Sequence, residues 1–345
     1  MTAIQESGAG AGAPETGAAG GSAGAAPGGH ELVRAKVEAI LGEMRKVVVG
    51  QDAALEHILV ALLCEGHALI EGVPGTAKTL MVRTLALALD LRFKRVQFTP
   101  DLMPSDIVGT SVFDMQSSQF RVQKGPIFTD LLLADEVNRA PAKTQSALLE
   151  AMEERRSTID GTGYEISPFF SVFATQNPVE FEGTYPLPEA QLDRFIVKVN
   201  VAYPTPEEEE RILRSVHQGF DARQLEKQGV RAVANRDDLQ RLRDAVRKTV
   251  CEDGLIRYVR DIVGKTRGSR KIALGGGPRA SIFLLGASKA LAVLRGRAFV
   301  TPDDVKAMAK PVLRHRIILE PEAELEGLDR ETAIDQVLEQ VPVPR

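Results

Sequence analysis

The octapeptide GVPGTAKT, residues 72–79, follows the apolar run HALIEG and precedes TLMVRTLALAL, whose apolar residues recur at helical spacing. A strand, a glycine loop and a helix in that order constrain the chain more than any other stretch. They build a concavity of backbone N–H groups at a helix N-terminus, where the helix dipole also favours anions. The octapeptide differs by one letter from the phosphate-loop pattern G-x-x-x-x-G-K-[ST], with Ala77 where the second glycine is expected. Gly72 lets the chain leave the strand sharply, and Gly75 permits backbone angles closed to other residues. Position 77 falls where the helix starts, so ordinary right-handed angles are expected to suffice and an alanine is expected to be accepted. Lys78 is then placed to meet the β and γ phosphates of a nucleoside triphosphate, and the Thr79 hydroxyl to ligate Mg²⁺. On this stretch alone, a glycine turn that merely opens a helix is the plain alternative.

A second signal lies in LLLADE, residues 131–136, an apolar strand ending in two adjacent acids. Asp135 would hold Mg²⁺ through water, and Glu136 would orient and polarise the water that attacks the γ phosphate. Two acids at a solvated strand end are the bland alternative. Asn177, closing the apolar run FFSVFATQN before Pro178, could reach the same water; an Asn before a Pro is also an ordinary turn former.

Further apolar runs, FKRVQF at 93–98 and FIVKVNV at 195–201, alternate with helical patterns such as TQSALLEAMEERR, where Ala147, Leu148, Ala151 and Met152 form one stripe. Alternating strands and helices predict a parallel α/β sheet covered on both faces. Residues 109–125 and 157–168 break the pattern as two turn-centred hairpins. After YPTPEEEER the chain reads as helices without strands, including DDLQRLRDAVRKTV, PRASIFLLGASKALAVLRG and a helix capped by Thr301 and Pro302. The expected organisation is a Gly/Ala-rich disordered tail over 1–29, an α/β core over 30–204, a helical domain over 205–320 and a loosely held end over 321–345.

Composition excludes several classes. A formal net charge of -4 provides no global positive field for nucleic acid or an anionic membrane surface. The only dense basic run, RGSRK at 267–271, reads as a solvated loop. No apolar run approaches the ~18 residues that cross a bilayer, and the first 29 residues carry no Lys or Arg to start a signal peptide. A cytoplasmic protein is expected. Cys64 and Cys251 form no ligand spacing and read as reduced thiols.

Taken together, GVPGTAKT, GPIFTDLLLADEVNRAPAKTQSALLEAMEER, ATQNP and EAQLDRF resemble the AAA+ ATPases of the MoxR family over about residues 31–320. The resemblance implies an α/β fold: a P-loop AAA+ core with a 5-1-4-3-2 parallel sheet and helices on both faces, followed by a C-terminal all-helical lid. It implies ATP and Mg²⁺ as ligands. Gly72, Val73, Pro74, Gly75, Thr76, Ala77, Lys78, Thr79 and Leu80 would form the phosphate loop, and Val49, Gly50 and Gln51 would lie near adenine. Thr79 and Asp135 would hold the metal, with Lys78, Glu136 and Asn177 in catalysis. Arg194, in LDRF, would be an arginine finger that enters the neighbouring subunit's site. Arg279, in GGGPRA, would be the sensor 2 arginine of the lid, acting in its own site or a neighbour's; Gly277 stands where relatives often carry Ser. The two hairpins would be insertions facing the centre of a ring.

The family further implies a homo-oligomeric ring, a hexamer, that hydrolyses ATP to remodel or activate protein clients, with a partner bearing a von Willebrand A domain. Two other readings stand beside it: a magnesium-chelatase-like or nucleic-acid-acting motor of the same clade, and a low-turnover scaffold switched by ATP. The acidic charge balance argues against nucleic acid, and intact Glu136 and Arg194 argue against a silent site.

Overall fold

A computed structural model describes residues 27–177 and 185–344. The expected tail over 1–29 therefore falls almost wholly outside the described residues. In chain order the first half runs α1 (Pro27–Arg45), α2 (Asp52–Leu63), β1 (Ala68–Glu71), α3 (Lys78–Ala88), β2 (Phe93–Gln97), α4 (Pro104–Val108), β3 (Gly109–Asp114) and β4 (Gln119–Lys124). It continues with β5 (Leu131–Asp135), α5 (Ala142–Glu154), β6 (Arg156–Ile159), β7 (Thr162–Glu165), β8 (Ser171–Gln176), α6 (Glu189–Leu192) and β9 (Val197–Asn200). The second half comprises α7 (Pro206–His217), α8 (Arg236–Lys248), α9 (Asp253–Gly268), β10 (Ile272–Leu274), α10 (Pro278–Leu294), α11 (Pro302–Leu313), β11 (Ile318–Leu319), α12 (Pro321–Leu325) and α13 (Arg330–Gln340).

The central sheet is parallel in the order β2-β5-β8-β1-β9. Counted along the core strands alone, this is the expected 5-1-4-3-2. β5 is buried at every residue, as a continuous apolar run in a sheet covered on both faces must be. Its side chains alternate between two cores: Leu131 and Leu133 join Ile70, Phe173 and Val199 on one face, while Leu132 and Ala134 join Phe98, Leu148, Val172 and Phe195 on the other. Both expected hairpins are present as antiparallel pairs, β3 with β4 and β6 with β7.

The second half, read from the sequence as helices without strands, also carries one short antiparallel pair, β10 with β11, and it does not stand apart. Leu242, Leu284, Leu291 and Met308 belong to the same continuous core as α1, α2 and the first sheet face. Two polar anchors fix this docking. Arg243 on α8 is buried and donates to the carbonyls of Leu62 at 3.2 and 3.1 Å and of Pro168 at 3.2 Å, with its guanidinium 5.2 Å from the Phe169 ring centre. Asp130, at the foot of β5, is also buried and accepts from Arg92 and from Arg236 of α8. Burial alone would raise its carboxyl, but hydrogen bonds from Arg92, Ser167 and Arg236 overcome that and hold it well below the usual range.

Residues 321–345, expected to be loosely held, contain α12 and α13 instead. Ile334 and Val337 of α13 are buried in the common core, because their i, i+3 spacing presents an apolar stripe to α9 and α11. Few apolar residues in a Glu- and Pro-rich segment are enough when both fall on one face.

Candidate active site

The loop between β1 and α3 leaves its strand at Gly72, where a Cβ would stand 2.7 Å from the Val201 carbonyl of the adjoining strand's end. Gly75 takes a left-handed φ of +83°. Ala77 corrects the expectation of ordinary angles: it precedes α3 with φ 62° and ψ 18°, in the left-handed region. The backbone must reverse hand there to turn successive N–H groups into the concavity. That conformation costs a residue with a Cβ about 1–2 kcal/mol, which explains why the general pattern prefers glycine.

Loop, strand ends and α7 enclose a cavity of about 640 Å³. Pro74 to Leu80, Val49, Gln51, Asp135, Glu136 and Asn177 all line it. Gly50, Gly72 and Val73 are not part of the lining. Val47, Val49, Ile212, Val216 and Phe220 supply apolar surface to the lining. Lys46, Lys78, Arg83, Arg95 and Arg223 line it against the two acids Asp135 and Glu136, so a chain of net charge -4 has gathered positive charge around this cavity. Apolar surface and cationic side chains around one cavity suit a base and a string of phosphates.

Lys78 Nζ donates to the carbonyls of Gly72 at 2.5 Å and Val73 at 2.8 Å, which pins it across the loop. Burial lowers its pKa, opposed by the negative charges of Asp135 and Glu136. Asp135 is buried at the tip of β5; Oδ1 accepts from Thr175 Oγ1 at 2.5 Å, and Oδ2 accepts from Arg95 Nη2 at 2.6 Å and Nε at 3.0 Å. Glu136 takes left-handed angles, φ 55° and ψ 50°. Its N–H donates to Thr175 Oγ1 at 2.9 Å, and Oε2 accepts from Gln97 Nε2 at 2.6 Å and Arg139 Nη1 at 2.9 Å. Thus β2 and β8, the two neighbours of β5, supply groups that orient both acids, and Arg139 from the turn after β5 adds a further partner to Glu136.

Sequence reasoning singled out none of Arg95, Gln97 and Thr175. The signal available was a polar residue near the C-terminal end of an otherwise apolar strand, as in FKRVQF and SVFATQ. The apolar contribution of Ile212 and Val216 on α7, and of Phe220 beyond it, was not singled out either.

Arg194 and Arg279 do not line the cavity. Arg194 Nη1 donates to the Leu149 carbonyl at 2.6 Å and forms an ion pair with Glu153 at 2.8 Å, beside a separate cleft of about 160 Å³. Arg279 pairs with the same Glu153 at 3.3 Å and with Asp193 at 3.6 Å. The two arginines therefore sit together on another part of the surface. Among the described residues, no helix is long and apolar enough to cross a membrane.

Comparison with known proteins agrees with this geometry. The model of the ATPase family associated with various cellular activities (AAA) matches residues 67–197, and that of the AAA lid domain matches residues 264–340. Chaperone MoxR1 of Mycobacterium tuberculosis is 43% identical over 333 residues, 93% of this chain and 86% of the relative. Protein YeaC of Bacillus subtilis is 44% identical over 91% of this chain and 96% of its own length. Protein MoxR of Paracoccus denitrificans is 32% identical over 86% of this chain and 93% of its own. A crystal structure of a Cytophaga hutchinsonii protein assigned as an ATPase superposes with a TM-score of 0.85 at 41% identity, covering 93% of this chain and 98% of the other. The chain belongs to the MoxR family of AAA+ ATPases.

Proposed function

We propose that this ATPase works as a Mg²⁺-dependent, ring-forming remodeller or activator of protein clients, in which each site is completed by arginines from the adjacent protomer. The observation that carries the reading is the location of Arg194: paired with Glu153 at 2.8 Å beside a cleft separate from the cavity that Lys78, Asp135 and Glu136 line. A guanidinium so placed serves a second copy of the chain more readily than its own pocket.

Within one protomer, Lys78 neutralises the β and γ phosphates, Glu136 polarises the attacking water and Asn177 helps to orient it. The hydroxyl of Thr79 and the carboxylate of Asp135, both on the cavity wall, are the hard oxygen donors that Mg²⁺ takes alongside phosphates and water. When bound, such an ion would offset the negative charge that develops during phosphoryl transfer. Arg194 of the next protomer adds positive charge in the transition state; fingers of this kind contribute roughly 10³- to 10⁵-fold in rate. Arg279 stands close enough to Arg194 to act in the same neighbour's site.

The Mycobacterium tuberculosis relative is named as a chaperone. The β3–β4 hairpin offers a surface suited to such work: Phe113 and Phe120 stack edge to face at 5.2 Å, and Met115 and Phe120 are 86% and 74% exposed. Exposed aromatic and methionine side chains bind extended apolar segments without strict sequence demand. A hexameric ring, a cytoplasmic setting and a von Willebrand A domain partner complete the reading.

The test is turnover per protomer against protein concentration. A rise that parallels assembly in sedimentation, absent in Arg194→Ala, supports shared sites. Constant turnover in a species that stays monomeric contradicts them.

A further inference from the structure

Arg194 and Arg279 come from different domains, yet each takes one oxygen of a single carboxylate. Nη1 of Arg194 lies 2.8 Å from Oε2 of Glu153, and Nη2 of Arg279 lies 3.3 Å from Oε1. Glu153 occupies the last turn of α5, and the Leu149 carbonyl, four residues earlier on the same helix, accepts from Arg194 at 2.6 Å. Both contacts of Arg194 fall on Nη1, so the guanidinium is gripped by one edge. Its Nη2 and Nε have no hydrogen bond among the described residues, which leaves that edge available to an anion. Asp193 extends the arrangement, pairing with Arg279 at 3.6 Å and with the buried Arg316 of the lid at 2.8 Å. The lid and the Asp193–Arg194 dipeptide are thereby held in register.

We propose that Glu153 is a positioning residue for hydrolysis, presetting Arg194 and Arg279 side by side so that they reach a neighbour's phosphates as a pair. The proposal rests on the reading that Arg194 acts in trans. A long side chain already confined to one arrangement loses less rotamer freedom when its anion arrives, which favours the transition state over a freely moving finger. Glu153 is 43% exposed, and ion pairs of that exposure contribute little to folding. Its removal is therefore expected to register in turnover rather than in stability.

The experiment uses the full chain, assembled with ATP, in four variants: Glu153→Ala, Glu153→Asp, Arg194→Ala and the Glu153→Ala/Arg194→Ala double. Glu153→Ala is expected to lower kcat roughly 10- to 100-fold, the scale on which misplaced catalytic groups act, with KM, thermal unfolding and sedimentation unchanged. Glu153→Asp keeps the charge on a shorter arm and is expected to recover most of the lost kcat. The double variant is expected to be no slower than Arg194→Ala alone, because the glutamate acts through the finger. Wild-type kcat in Glu153→Ala beside a slow Arg194→Ala overturns this proposal alone. Loss of assembly in Glu153→Ala also overturns it, since that assigns the glutamate to subunit contact. Wild-type turnover in Arg194→Ala overturns the trans reading and this proposal with it.

Discussion

Thr175 Oγ1 donates to Asp135 Oδ1 at 2.5 Å and accepts the Glu136 N–H at 2.9 Å, so one hydroxyl on β8 orients two acids at the tip of β5. The register explains the reach: β8 pairs directly with β5, with Leu133 opposite Phe173 and Ala134 opposite Ala174. Thr175→Val preserves shape and removes both bonds. Hydrogen bonds to charged groups contribute about 1.5–3 kcal/mol. The variant is expected to unfold at lower denaturant by about that amount and to hydrolyse ATP at least 10-fold more slowly, measured by urea titration and steady-state turnover.

Ala77 carries a strain that glycine does not. With φ at 62°, Ala77→Gly relieves about 1–2 kcal/mol, against about 0.5–1 kcal/mol of added chain entropy in the unfolded state. A modest gain in stability or nucleotide affinity is expected. Ala77→Val, which places a branched side chain in the left-handed region, is expected to abolish detectable nucleotide binding. Calorimetric titration with ATP distinguishes the pair.

Stability should fall on acidification through a histidine. His67 is buried between β8 and α5: Val172 N–H donates to Nδ1 at 2.9 Å, and Nε2 lies 3.2 Å from the Met152 carbonyl. Burial lowers its pKa to about 4 from an ordinary 6.5. The unfolded chain therefore binds a proton more readily than the folded one, so this contribution is complete above about pH 6.5 and is lost as pH falls towards 4. The loss is on the order of 3 kcal/mol. Urea midpoints between pH 7 and 4.5 are expected to decline in the wild type and to decline less steeply in His67→Asn.

The lid should depend on one buried guanidinium. Burial lowers the Arg243 pKa to about 10, still charged at neutral pH, and its donors satisfy the carbonyls of Leu62 and Pro168. Arg243→Met removes the charged hydrogen bonds to those carbonyls, which keep the Glu65 N–H and Arg155 as donors, at a cost of roughly 1.5–3 kcal/mol. Differential scanning calorimetry is expected to show a lower Tm, and proteolysis is expected to cut first between the core and α8.

That Pro74 to Leu80, Asp135, Glu136 and Asn177 surround one cavity was legible in the sequence, because phosphate chemistry demands those residue types at strand ends in a fixed order. The hairpins were legible from turn residues between short branched runs. Arg95, Gln97 and Thr175 were not: each becomes a partner of the acids only through strand order, which spacing along the chain does not reveal. The left-handed angle at Ala77 was missed because the residue was placed at the start of the helix with ordinary helical angles, whereas it is the cap that precedes α3. The docking of α8 depends on Arg243 meeting Leu62, 181 residues away, and nothing local to DDLQRLRDAV announces it.

The claim that one protomer's arginine completes another's site is tested most directly by mixing two inactive proteins. Glu136→Gln lacks the group that polarises water, and Arg194→Ala lacks the finger. In a mixed assembly, an Arg194→Ala subunit retains Glu136 and receives Arg194 from a Glu136→Gln neighbour. Turnover of the mixture well above the sum of its separate components is the expected result. A mixture that co-assembles, as judged by sedimentation, yet hydrolyses ATP no faster than its components contradicts the account.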